Sequence, residues 1–165
     1  MSVRGTQASR LVFRRAAAGL LGVCAAYQVV LGAYFVAFRP SLLPEDLRFL
    51  GTSAARVGRD QPELGPWLDL VFTVLGGQMA ALGCLLGVSA VRLMRGRAMV
   101  SFELVPVGVA GFLSVALMSA VNFTLGSDFR WLLIFPVLAW TVGLALAAWA
   151  VDARASEARE PDRAR

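Results

Sequence analysis

The chain has 165 residues, 58% of them hydrophobic, and carries 16 Lys or Arg against 11 Asp or Glu for a formal charge of +5, with no His. Its mean hydropathy of +0.66 exceeds what a soluble domain of this length carries. The absence of His removes the commonest metal and haem ligand and the commonest general base, which argues against a haem-carrying cytochrome subunit. No cofactor, metal or catalytic residue is expected.

In chain order, residues 1–15 form a basic amino tail with Arg4, Arg10, Arg14 and Arg15, followed by a first apolar run over 16–38. Crossing a hydrocarbon core takes about 20 apolar residues, and this run meets that length. It exceeds the h-region of a signal peptide, and no small-x-small cleavage site follows, so it reads as a membrane span. Residues 39–66 are bracketed by Pro40, Pro44, Pro62 and Pro66. Within them Pro44 suits a first helical position, Glu45 and Asp46 complement the helix dipole, and Gly51 supplies a stop. Leu43, Leu47 and Leu50 then make an apolar stripe opposite Glu45 and Arg48, as in a helix lying in the membrane interface. It is expected to cap the bundle, with a lid over an entrance as the alternative.

A second span covers 67–91, a short turn carries Arg92, Arg95 and Arg97, a third span covers 98–121, and a fourth covers 131–151 before a charged tail at 152–165. Helices in lipid have little hydrophobic drive to associate, so small residues mark their contact faces. Such seams occur at Gly76, Ala80, Gly83 and Gly87, at Gly108, Gly111 and Val115, and at Ala139, Gly143 and Ala147. The expected fold is all-α: a membrane-embedded antiparallel four-helix bundle with a short interfacial helix in the first outer loop.

Arginine placement orients the bundle, because cationic side chains beside spans are retained in the cytoplasm. Both tails and the Arg92 turn, with Arg154, Arg159, Arg163 and Arg165 in the last, hold eleven arginines, against five at Arg39, Arg48, Arg56, Arg59 and Arg130. Both termini are therefore expected in the cytoplasm. The charge is spread over five segments with no soluble module, so nucleic acid is not expected, and anionic lipid headgroups are the expected counter-charge.

Polar groups inside the hydrocarbon are where function is sought. Gln28, Gln78 and Thr141 fall at one depth, either as an interhelical hydrogen bond between the two glutamines or as a polar substrate site. Glu103 is expected to pair with Arg97 or Arg95. Asp69 is expected to pair with Arg130, and Asp69, Asn122, Asp128 and Arg130 form a candidate outer cluster. Trp67, Trp131 and Trp149 read as interfacial belts, and Cys24 and Cys84 as small apolar residues on neighbouring spans.

The segment Leu42-Leu43-Pro44-Glu45-Asp46-Leu47-Arg48-Phe49-Leu50-Gly51, Gly76-Gly77, and Ser127-Asp128-Phe129-Arg130-Trp131-Leu132-Leu133 resemble a group of small uncharacterised bacterial integral membrane proteins, over most of residues 16–151. The architecture is loosely similar to DoxX-like four-helix membrane proteins. The resemblance implies a bacterial inner-membrane location and nothing catalytic. The expected function is that of a non-catalytic accessory or assembly protein, homo-oligomeric or bound to a membrane protein partner. The alternative is a small oligomeric transporter or channel using Gln28, Gln78 and Thr141.

Overall fold

The computed structural model describes residues 3–97, 99 and 101–163 and is all-α, with no strand among these residues. Helix α1 spans Val3–Ala37, α2 Pro44–Leu50, α3 Ala54–Asp60 and α4 Leu64–Met94. Then α5 runs Ser101–Gly111, passes through a π-helical turn at Phe112–Ala116 into α6 at Leu117–Thr124, and α7 closes the chain at Ile134–Arg163. Four stretches are long and apolar enough to cross a membrane: Leu11–Ala37, Leu64–Met94, Phe102–Thr124 and Ile134–Val151. Between 17% and 28% of each one's apolar window is buried within the protein, so most of its hydrophobic surface faces outward. Val30, Leu70, Leu85, Phe102 and Phe135 are all more than two-thirds exposed. This is the pattern of a multi-pass membrane protein.

The helices outrun the apolar runs. α1 starts within the basic amino tail and α7 continues into the charged carboxyl tail, because Ala, Arg and Glu propagate a helix as readily as Leu does. α7 also starts three residues later than expected. Residues 128–133 are spent in turns that follow the Ser127 bend, and Pro136, which has no N–H to contribute, sits in the first helical turn.

α1 is the centre of the packing, with α4 along one side and α7 along the other; α5 and the π turn lie against α7. The α1–α4 contact is a small-residue seam. A methyl added at Gly32 would sit 2.5 Å from the Gly76 carbonyl oxygen and 2.6 Å from the Ala80 nitrogen, and one at Gly83 would sit 2.8 Å from the Ala25 carbonyl oxygen. On the other side Gly143 faces Leu20 and Leu21, and Gly111 lies against the Trp140 ring. All three expected seams are therefore used inside the chain.

The consecutive spans α4 and α5–α6 are not packed along their length. They converge at one end, where Ala17, Ala18, Leu21, Ala90, Leu93, Met99 and Ala147 form a buried cluster with Leu104 and Val107 of α5 against it. Arg92 and Glu103 add an ion pair of 2.6 Å there, so the partner of Glu103 is Arg92 rather than Arg95 or Arg97. Toward the other end, which carries α2, the two spans diverge. That is the cap end of the bundle.

Candidate ligand-binding cavity

The divergence leaves a cavity of about 930 Å³, with α1 as its back wall, α4 and α5–α6 as its sides and α2 across the cap end. Its lining is mostly apolar, including Leu31, Leu75, Met79, Leu82, Leu113 and Leu117. The size and character suit a small-molecule site, where an apolar wall carries a few placed polar groups. The third span shapes one side. Pro106 removes a backbone donor within α5, and beyond it the wider π turn is accompanied by Ser114 Oγ donating to the Ala110 carbonyl at 2.7 Å. Ala110, Leu113 and Ser114 all face the cavity.

α2 is placed by local chemistry and held by its acids. Asp46 accepts from the Leu43 N–H at 2.9 Å, closing the first turn. Gly51 ends the helix at φ 63°, its N–H donating to Arg48 O while the Thr52 N–H donates to Leu47 O. Arg39, with its side chain 7% exposed, donates to Asp46 at 3.2 Å and lies 3.5 Å over the centroid of Phe72. Glu45, expected on the polar face opposite the leucine stripe, is instead buried at 5% exposure and accepts from Ser127 Oγ at 3.3 Å. It faces inward because α2 lies across the cavity mouth, so its inner face meets the 127–133 segment as well as apolar wall. A third tether, Arg48 to Asp128 at 3.0 Å, lies on the exposed side.

Gln28 is fully buried in the cavity wall, and neither its amide nitrogen nor its oxygen has a hydrogen-bond partner. The neighbouring Tyr27 hydroxyl, also on the lining, is likewise unpartnered. An unpaired buried polar group costs about 1–3 kcal/mol, so this wall is built at some expense to stability.

The expected bond between Gln28 and Gln78 does not form. Gln78 is exposed and lies two residues from both Gly76 and Ala80, which turns it away from the seam; both glutamines line the cavity without meeting. Thr141 does not belong to this site: it is exposed on α7 and its hydroxyl donates to Val137 O at 2.8 Å. The expected outer cluster is also dispersed. Asp69 accepts from Ser41 Oγ at 2.7 Å, Asp128 pairs with Arg48, and Arg130 donates to Ser127 O at 3.2 Å. Of that cluster Asn122 alone lines the cavity, its amide donating to Met118 O at 2.9 Å. Cys24 is buried and donates to Pro136 O, whereas Cys84 is exposed, so the two thiols face different surroundings.

Sequence reasoning missed Arg39, Glu45 and Asp46 as cavity residues. Arg39 follows the end of α1 and its guanidinium folds back to 5.2 Å from the Phe35 ring centroid, a contact that no helical spacing signals.

A scan against protein-family models and searches of curated proteins and solved structures return no match to this chain.

Proposed function

We propose that this is a non-catalytic protein of the bacterial inner membrane, with both termini cytoplasmic, whose cavity takes up a small membrane-soluble amphiphile from the outer leaflet. The observation that carries this reading is Gln28: a fully buried amide without a partner on the wall of a mostly apolar cavity. The binding serves an accessory role, holding such a molecule for a membrane partner. An assembly role through small-residue seams has less support, because Gly76, Gly83, Gly111 and Gly143 are engaged within the chain. Carriage across the bilayer is a second reading, favoured by the presence of both Gln28 and Gln78 on the lining. It requires the cluster around Leu21 and Leu93 to part.

Two experiments test the proposal. Single cysteines at Ser53, Arg95 and Asp128, all exposed, in a cysteine-free chain report orientation in intact cells. Externally added thiol reagent is expected to label positions 53 and 128 and not 95; the reverse pattern overturns the orientation. For binding, radiolabelled decanol is dialysed against phosphatidylcholine nanodiscs with and without the full chain. Saturable binding is expected, weakened roughly tenfold by Ser114→Phe, which places a ring in the cavity. Equal binding to both forms of the protein overturns the cavity reading.

A further inference from the structure

The charged groups on the cavity wall are unequal. Arg39, Glu45 and Asp46 are the charged residues of the lining. Arg39 and Asp46 satisfy each other in an ion pair, with Arg39 also donating to Pro40 O at 2.8 Å and resting on Phe72. That leaves Glu45, 95% buried, whose contact is the neutral hydroxyl of Ser127. Arg130 lies outside the lining, donates to the Ser127 carbonyl and makes no ion pair with Glu45. A buried carboxylate without a cation is costly, and a cation placed beside it recovers much of that cost. Tyr34 and Phe129 line the same end of the cavity, and aromatic faces attract cations that have shed water.

Resting on the amphiphile reading above, we infer that the ligand is a cationic amphiphile, an alkyl amine or alkylammonium, whose head group pairs with Glu45 beneath α2 and whose chain runs down the apolar wall. Gln28 supplies a second anchor. It lies nine residues before the end of α1, about 14 Å below it at 1.5 Å per residue. Its unpartnered amide fits a hydroxyl or carbonyl part-way along the ligand's chain.

The test uses three probes with one tail and different heads: decyltrimethylammonium, decanol and decyl sulfate, each dialysed against the full chain in phosphatidylcholine nanodiscs. The ammonium is expected to bind most tightly and the sulfate most weakly. Glu45→Gln is expected to weaken the ammonium roughly tenfold and leave decanol unchanged, the retained decanol binding showing that the variant is folded. An unchanged ammonium affinity in Glu45→Gln, or sulfate binding as tightly as ammonium, overturns the cationic class. If decanol binding then remains saturable and sensitive to Ser114→Phe, the amphiphile cavity stands without it. Absence of saturable binding by all three probes overturns both.

Discussion

Gly76→Ala is expected to destabilise the protein by about 1–3 kcal/mol, whereas the same one-methyl change at the adjacent Gly77 is expected to be neutral or mildly stabilising. At Gly76 the new carbon would lie 2.6 Å from the Gly32 carbonyl oxygen and 2.8 Å from the Phe35 β-carbon. Neither is the end of a flexible side chain, so α1 and α4 must move apart and surrender their close contact. At Gly77 nothing lies within 4 Å, and Ala is the better helix former by up to about 1 kcal/mol. Reversible unfolding in mixed micelles of increasing SDS content compares the pair directly. Equal midpoints for the two variants would remove the seam from the account. Because one separation of the helices accommodates a methyl on either side, Gly32→Ala combined with Gly76→Ala is expected to cost less than the sum of the two singly.

Gln28→Leu is expected to move stability and binding in opposite directions. The substitution removes an amide whose nitrogen and oxygen are both buried and unpartnered, and a gain of about 1–3 kcal/mol is expected in the same unfolding assay. Decanol loses the polar anchor for its hydroxyl, and its affinity for the nanodisc-embedded chain is expected to fall. A group that costs stability while serving a ligand is a known compromise at functional sites. If the leucine variant is less stable than the parent, the amide has partners in the membrane, and Gln28 is a packing residue instead.

The helices and their local devices were legible in the residues because each rests on short-range chemistry. Pro44 and Gly51 bound α2 through backbone constraints that act within one turn. The seams were legible because small residues recurring every three or four positions line one helix face, whereas Gly77, off that stripe, meets nothing within 4 Å. The cavity was not, because it arises from which spans fail to pack. α4 and α5–α6 are neighbours in sequence, yet α7 takes the place beside α5. No residue type announces that choice. Span midpoints put Gln28 and Gln78 at one depth, whereas the seam sets Gly32 against Gly76 and Ala80 and Val29 against Gly83, about one turn out of level, and depth said nothing about rotation about the helix axes. Rotation was readable from the seam itself: Gln78 is displaced by two residues from Gly76 and from Ala80, roughly 200° around the helix, so it faces away from α1. Gln28, four residues before Gly32, keeps the seam side. The burial of Glu45 was missed because an amphipathic stripe identifies an apolar face and is silent about a carboxylate that meets a serine eighty-two positions away.

The cavity and the tightest packing of the bundle lie at opposite ends of the spans. The packed cluster of Ala17, Leu21, Ala90, Leu93 and Ala147 lies outside the lining, where α4 and α5 converge, so on the binding proposed above exchange is expected from the cap side. Occupancy is then expected to follow the composition of a single monolayer without a gradient or a fuel, and raising the same compound in the opposite monolayer is expected to leave it unchanged until the lipids themselves flip. On that proposal the protein reads one face of an asymmetric bilayer.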